Sequence, residues 1–132
     1  MTLVVDASMV TAALVSRGPD GRWAEALLLE EQLAAPHLLL AEVANILRRA
    51  ARAEHLSADH AALAHRDLLQ LRVELFPYAP FAERVWELPD NVTAYDAWYV
   101  AVAELLQAPL ATFDERLIAA TGPRCEFSTP PS

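Results

Sequence analysis

The sequence predicts an α/β fold in which helices flank a central parallel sheet. Short apolar runs of strand length alternate with segments of helical periodicity along all 132 residues, which is the pattern of strand–helix–strand units. Hydrophobic residues make up 55% of the chain, enough to cover both faces of such a sheet. We therefore expect one domain over residues 1–127, with about four or five strands, and a disordered tail over 128–132.

The first elements follow from apolar runs and from the residues that interrupt them. A β-branched run that ends in an acid fits a buried strand, a serine after it fits a helix N-cap, and a proline ends the next short run. The predicted elements are a strand at 2–6, a helix at 8–15 capped by Ser8, a turn at 17–21, a helix at 22–32 and a strand at 33–36.

The middle of the chain predicts two longer helices and a strand. Leu38, Glu42, Asn45 and Ile46 follow the spacing of one helical stripe. A serine at the start of the following segment fits an N-cap. The predicted elements are a helix at 37–55, a helix at 57–72 capped by Ser57, a strand at 73–76 and a short helix at 81–88.

The last third is dominated by one almost entirely apolar helix, which we expect to be deeply buried. Thr93 is the predicted N-cap of this helix. A later short helix, which begins at Asp114, is predicted to end at Gly122 and Pro123. The predicted elements are a helix at 93–107, a strand at 110–112, a short helix from Asp114 to Gly122 and an edge strand at 124–127.

Composition limits the chemistry. The net charge of −8 argues against binding to nucleic acid, unless bound cations offset part of that charge. All 10 basic residues are arginine, which suits phosphate, although a GC-rich genome also explains the absence of lysine. That absence excludes P-loop and pyridoxal-phosphate enzymes, as well as receiver domains and haloacid-dehalogenase phosphatases, which use a lysine beside their aspartate.

The chain has no predicted membrane or export segment. No apolar run approaches the roughly 20 residues that a bilayer span needs, and the N-terminus lacks the basic region of a signal peptide. The single cysteine, Cys125, excludes an internal disulfide. We therefore expect a cytoplasmic protein.

Four acids stand where such a fold would bring them together. Asp6 and Asp114 follow predicted strands, and Glu42 and Asp96 interrupt apolar helices. Carboxyl ends of parallel strands meet where strand order reverses, and ligands bind there. Acids near a core are usually paired or bound to a metal. Oxygen ligands suit Mg²⁺ or Mn²⁺, and a metal-bound water can hydrolyse a phosphodiester.

Each acid also has a simpler interpretation. Asp114 could cap the last helix, Asp96 fits a capping-box position three residues after Thr93, and Asp6 could bind backbone amides in a turn. Glu42 is harder to explain in this way, because it lies between Leu40 and Val43 on an apolar stripe.

Four segments together resemble the PIN-domain ribonucleases, in particular the VapC-type toxins of VapBC toxin–antitoxin pairs. They occur in the family's order and cover nearly the whole chain. The segments are Val4-Val5-Asp6-Ala7-Ser8, Glu42-Val43-Ala44-Asn45-Ile46-Leu47-Arg48, Thr93 to Ala101, and Leu110 to Leu117.

The resemblance implies a PIN-like three-layer sandwich and an endoribonuclease that depends on Mg²⁺ or Mn²⁺ and is inhibited by an antitoxin. Asp6, Glu42, Asp96 and Asp114 match the family's acidic quartet, as catalytic residues and metal ligands. Thr112 matches a hydroxyl that lines the site, although it could be an ordinary strand residue. Ser8 could support a carboxylate as well as cap its helix. Asn45 could orient Glu42 or bind nearby backbone.

Surface features suggest partners. Arg48, Arg49 and Arg52 form the densest basic group, which could contact RNA phosphates or simply be solvated. Two leucine-rich stretches could be core, a groove for an antitoxin helix or a homodimer seam; they comprise Trp23, Leu27–Leu29, Leu33 and Leu38–Leu40.

Two other functions remain open from the sequence. The protein could be a catalytically weak binding module that acts through an antitoxin complex on operator DNA. The same quartet could also serve a DNA nuclease or a phosphatase, because the reaction chemistry is the same.

Overall fold

The computed structural model describes residues 1–131 and confirms the predicted α/β class. The strands are β1 (Thr2–Val5), β2 (Gln32–Pro36), β3 (Val73–Phe76), β4 (Leu110–Ala111) and β5 (Phe127–Ser128). They form one sheet in the order β3-β2-β1-β4-β5, and every neighbouring pair is parallel.

Helices connect and flank the strands, as parallel pairing requires. They are α1 (Ala7–Val15), α2 (Pro19–Glu30), α3 (Leu39–Arg52), α4 (Ala58–Leu69), α5 (Ala82–Glu87), α6 (Ala94–Leu106) and α7 (Glu115–Ala119), with a 3₁₀ turn at Ala79–Phe81. Helix α6 packs on β1, β2 and β4, which explains its apolar sequence. Val100 and Val102 of α6 are fully buried, as the sequence predicts.

The sheet reverses its strand order next to β1. The chain passes outward through β2 and β3, then returns to the other side of β1 to form β4 and β5. Val5 pairs with Ala111, so the carboxyl ends of β1 and β4 lie side by side. The residues that follow these two strands are therefore brought together, at the place where α/β folds bind ligands.

Three predicted boundaries are wrong for local physical reasons. The N-cap of α1 is Asp6 and not Ser8, because the Asp6 carboxylate accepts the N–H of Met9 at 3.0 Å. Helix α2 begins at Pro19, where proline's fixed φ and missing N–H suit the first turn. Strand β5 lies at Phe127–Ser128 and not at 124–127.

The core-facing stripe of α3 is offset by one residue from the predicted one. Leu39, Val43 and Leu47 are the buried positions, and Glu42 lies half-buried beside them. The predicted caps at Ser57 and Thr93 are confirmed by hydrogen bonds from the N–H groups of His60 and Asp96.

Two remaining features concern the last residues of the chain and the apolar character of the helices. Ser128 belongs to β5, although it is the first residue of the expected tail, and Ser132 lies outside the described residues. Over residues 1–131, no helix combines the length and the apolar character that crossing a membrane requires.

Candidate active site

The carboxyl ends of β1 and β4 carry the first candidate residues. Asp6 follows β1 with only 8% of its surface exposed, and Thr112 follows β4 and is fully buried. The Asp6 N–H donates to the carbonyl of Ala111 at 3.3 Å. A buried carboxylate needs hydrogen-bond donors or a cation, so the partners of Asp6 define what this site can do.

Three donors surround the Asp6 carboxylate. The Ser8 hydroxyl and the Met9 N–H donate to Oδ1 at 2.6 and 3.0 Å, and the Thr112 hydroxyl donates to Oδ2. A carboxylate offers about four acceptor positions, so these bonds leave about one position, on Oδ2. Asp6 is therefore a helix cap and a carboxylate with room for one further partner.

The two hydroxyls also hold the loop between β4 and α7. The N–H of Phe113 donates to the Ser8 oxygen at 3.1 Å, and the N–H of Asp114 donates to the Thr112 oxygen at 3.0 Å. Each hydroxyl thus accepts from this loop and donates to Asp6. The arrangement fixes the loop that carries Asp114 against the loop that carries Asp6.

Asp114 caps α7, so the simpler interpretation of this residue is correct as far as it goes. Its Oδ1 accepts the N–H groups of Arg116 and Leu117 at 3.0 and 3.3 Å. Both bonds fall on the same oxygen, which leaves Oδ2 outside the cap. Capping and ligand binding are therefore compatible at this carboxylate.

The remaining acids come from the first turns of two helices. Asp96 is half-buried in α6, and its N–H is held by Thr93 at 3.1 Å. Glu42 is half-buried in α3, and its Oε1 accepts the hydroxyl of Tyr99 at 2.6 Å. Asn45, which we expected to orient Glu42, is exposed.

The electrostatics show that the acids share one neighbourhood. Burial raises the pKa of Asp6, against the lowering effect of its donors, and the charge of Asp114 raises it further. Burial likewise raises the pKa of Glu42, with contributions from Asp96 and Asp6. The pKa of Asp96 is raised by burial and then by Asp114 and Asp6. Like charges held this close destabilise the ionised site unless a cation offsets them.

Comparison with known proteins identifies the family of this chain. A family model described as the PIN domain matches residues 3–122. This chain belongs to the PIN-domain family. Ribonuclease VapC1 of Mycobacterium tuberculosis is 44% identical to it over 125 residues, which cover 94% of each chain. Ribonuclease VapC9 of the same species is 40% identical over 129 residues, or 98% of each chain.

Solved structures show the same PIN fold. A crystal structure of a protein from Pyrobaculum aerophilum has a TM-score of 0.70 at 26% identity, and the match covers 92% of this chain and 81% of that one. VapBC2 from Rickettsia felis, solved with a DNA fragment from its promoter, has a TM-score of 0.68 at 14% identity and covers 98% of both chains. The second likeness establishes the fold alone.

The donor set of this PIN domain fits a hard divalent cation in an open site. Among residues 1–131, no three carboxylate, imidazole or thiol groups already converge as a ready-made cage for one ion. The acids nevertheless supply only oxygen ligands, Asp6 keeps an open acceptor position, and their repulsion is the kind that a cation relieves. Mg²⁺ retains several waters, so such a site needs few direct protein ligands.

The three arginines lie away from the acids. Arg48, Arg49 and Arg52 are all exposed on the C-terminal half of α3. Arg49 is seven residues from Glu42, and a rise of about 1.5 Å per residue separates them by about 10 Å along the axis. Arg49 and Arg52 therefore lie about two turns or more along α3 from Glu42.

The expected partner surfaces are only partly exposed. Leu33 and Leu39 belong to the core, and Trp23 packs edge-on against Phe113 at 5.5 Å. Leu29 is largely exposed. A cleft of about 280 Å³ lies beside the site instead, lined by Leu38, Ala41, Glu42, Asn45 and Tyr95.

Sequence reasoning missed Tyr99. It lies three residues after Asp96, on the same side of α6, and only 1% of it is exposed. A buried tyrosine needs a partner for its hydroxyl, which was the available signal. Burial and the hydrogen bond to Glu42 raise the pKa of Tyr99, with added effects from the charges of Glu42, Asp6 and Asp96.

Proposed function

We propose that this chain is an endoribonuclease toxin of the VapBC type, in which Asp6, Glu42, Asp96 and Asp114 hold Mg²⁺ or Mn²⁺. The observation that carries the proposal is the group of acids at the strand switch point, three of which have a raised pKa from burial and from one another's charges. The VapC ribonucleases that this chain resembles at 44% and 40% identity support the choice of RNA.

The chain's own residues would hold the carboxylates in place, and a bound cation would supply the reactive chemistry. A divalent ion lowers the pKa of its bound water and offsets negative charge on the phosphate. Ser8 and Thr112 hold Asp6 in place, and the capping bonds of Asp114 fix the carboxylate on the adjacent loop. No nucleophilic side chain would be needed, because a metal-bound water can serve as the nucleophile.

The arginines of α3 would hold the RNA beyond the cleavage point. Arg48, Arg49 and Arg52 are exposed and free to contact phosphate, and arginine suits that role. They would add to affinity rather than to the chemical step, because about 10 Å of helix separates Arg49 from Glu42.

A protein antitoxin is the partner that the VapC relationship supports, and a homodimer remains our proposal. A second role in an operator complex, beside catalysis, is part of this proposal. Largely exposed apolar side chains such as Trp86 and Leu105 offer contact area for a second copy. We also propose a cytoplasmic location, where RNA is available.

Cleavage of RNA by EDTA-treated protein tests the proposal. Activity should appear with Mg²⁺ or Mn²⁺, stay absent with EDTA, and be lost in Asp6→Asn. Asp67→Asn is the matched control, because Asp67 is exposed on α4, and it should stay active. A DNA strand of the same sequence distinguishes the DNA-nuclease alternative. Cleavage in excess EDTA, or full activity of Asp6→Asn, would contradict the metal site and leave the binding-module alternative.

A further inference from the structure

One hydrogen bond joins the two helices that carry Glu42 and Asp96. Tyr99 is fully buried on α6, one turn from Asp96. Its hydroxyl reaches across to α3 and donates to Glu42 Oε1 at 2.6 Å. The donor and acceptor are 57 residues apart in sequence, so this contact is a product of the fold and not of local helix geometry.

Glu42 needs such a restraint more than Asp6 and Asp114 do. A glutamate side chain has three rotatable bonds, so holding its carboxylate in one place costs more conformational entropy than it does for an aspartate. Asp6 is held by three donors and Asp114 by two. Within residues 1–131, the Glu42 carboxylate accepts its hydrogen bond from Tyr99.

We propose that Tyr99 is a positioning residue that locks the Glu42 carboxylate and directs its second oxygen, Oε2, toward the cation. The phenolic O–H takes one of the two acceptor positions on Oε1, so Oε2 is the more open oxygen for a ligand. Because Tyr99 and Asp96 share one rigid helix face, the same bond fixes the position of Glu42 relative to Asp96. This inference rests on the proposed function, since it assigns a role toward the same metal site.

A purely structural role for Tyr99 makes a different prediction. If the hydroxyl only satisfies a buried polar group, its removal should lower the melting temperature and leave metal binding as it was. If it orients a ligand, its removal should weaken metal binding in the folded protein. Partners that orient metal ligands typically change metal affinity or activity by about 10–100-fold when they are removed.

Tyr99→Phe separates the two roles, because it removes one oxygen and keeps the ring. Mn²⁺ binding to EDTA-treated protein, measured by calorimetry, should be at least about 10-fold weaker than in the parent. The turnover number for RNA should fall while KM for RNA changes little, because the RNA contacts are elsewhere. Tyr78→Phe is the matched control: Tyr78 packs edge-on against Trp98 at 5.3 Å, and that contact needs only the ring.

A double variant, Glu42→Gln with Tyr99→Phe, tests whether Tyr99 affects Mn²⁺ affinity through Glu42. In a Glu42→Gln background the carboxylate charge is already gone, so adding Tyr99→Phe should cause little further loss of Mn²⁺ affinity. Equal Mn²⁺ affinity in the parent and in Tyr99→Phe would overturn the positioning role and leave the metal site intact. Additive losses in the double variant would also overturn it. A parent that binds no Mn²⁺ would instead overturn the proposed function and this inference together.

A structure of the Mn²⁺-bound parent tests the same idea without any variant, should Tyr99→Phe fail to fold. We expect the Tyr99 hydroxyl on Glu42 Oε1 and the cation on the side of Oε2. A cation on Oε1 with the tyrosine bond broken would contradict the proposal.

Discussion

The hydroxyl of Thr112, at the end of β4, donates a hydrogen bond to the carboxylate of Asp6, at the end of β1. The Thr112 hydroxyl oxygen also accepts a hydrogen bond from the N–H of Asp114 at 3.0 Å. One small side chain thus joins two acids that are 108 residues apart in the sequence. Thr112 is fully buried, so bulk water does not compete for these two hydrogen bonds.

Replacing Thr112 with valine should weaken both the fold and the site. Valine keeps the shape but leaves the Asp114 N–H without its acceptor and Asp6 without one donor. An unsatisfied buried group costs about 1–3 kcal/mol, which chemical denaturation can measure. RNA cleavage should fall as well, because Asp6 and the Asp114 loop lose a shared anchor. Thr112→Ser keeps the hydroxyl and should retain more stability and activity than Thr112→Val; equal behaviour of the two variants would contradict the role of the hydroxyl.

Asp6→Asn should abolish cleavage without destabilising the metal-free protein. The raised pKa of Asp6 means that its charge is unfavourable in the folded state at neutral pH, and asparagine removes that charge while retaining an oxygen for capping. Without metal, the melting temperature should stay the same or rise. With Mn²⁺ at about 100 times Kd, the parent should gain about 2.7 kcal/mol, and Asp6→Asn should gain much less.

Paired thermal melts with and without Mn²⁺ make this measurement. A metal-free Asp6→Asn protein that melts well below the parent would show that hydrogen bonding at Asp6 outweighs charge repulsion. Asp67→Asn again serves as the control, because it changes the net charge equally at an exposed position.

The sheet and the quartet could be predicted because each leaves a local signal. Strands are short apolar runs, and an acid at the end of a buried strand, such as Asp6, is unusual enough to notice. Burial and the charges of neighbouring acids raise the pKa of Asp6, Glu42 and Asp96. Whether these acids bind metal stays a prediction, as do the roles of Ser8, Asn45 and the α3 arginines.

The long-range partners could not be predicted from sequence alone. Tyr99 meets Glu42 only because the fold brings a residue of α6 within hydrogen-bond distance of one on α3. Its position in an apolar helix makes it look like an ordinary core residue. The N-cap error at Ser8 has a related cause. Ser8 and Asp6 are both good caps, and the choice depends on Ser8 turning to contact Asp6 and the N–H of Phe113.

Stability should depend on pH through an ion pair remote from the site. Arg84 on α5 donates to both oxygens of Glu104 on α6 at 2.7 and 3.0 Å, and the Arg124 N–H adds a bond at 2.7 Å. Burial would raise the pKa of Glu104, but these bonds outweigh burial and lower its pKa below the usual value. A lowered folded pKa gives stability that is present above the unfolded pKa and is lost as pH falls through the folded one.

Glu104→Gln should therefore be less stable than the parent at pH 7, by about 1.5–3 kcal/mol for hydrogen bonds to a charged group. The difference should shrink as pH falls below the ordinary glutamate pKa of about 4.3. Glu87→Gln is the comparison, because Glu87 meets Arg84 at 3.7 Å and is more exposed, and it should change stability little. A Glu104→Gln deficit that stays constant from pH 7 to pH 3 would contradict the pair.

Replacing Arg49 and Arg52 together with glutamine should weaken RNA binding and flatten its dependence on salt. Each phosphate contact releases bound counterions, so each lost contact should reduce the slope of log K against log salt by about 1. The fold should be unaffected, since both side chains are exposed.

The measurement uses an inactive Asp6→Asn background, so that RNA stays intact during titration. Arg66→Gln with Arg72→Gln is the matched control, because it removes the same charge from exposed positions outside α3. If the two double variants lower the slope equally, the effect reflects net charge alone and the α3 arginines belong to a solvated surface. If only the α3 pair lowers it, RNA runs along α3 beyond Glu42, and the separation of about 10 Å between Glu42 and Arg49 sets how far the bound strand extends from the cleavage point.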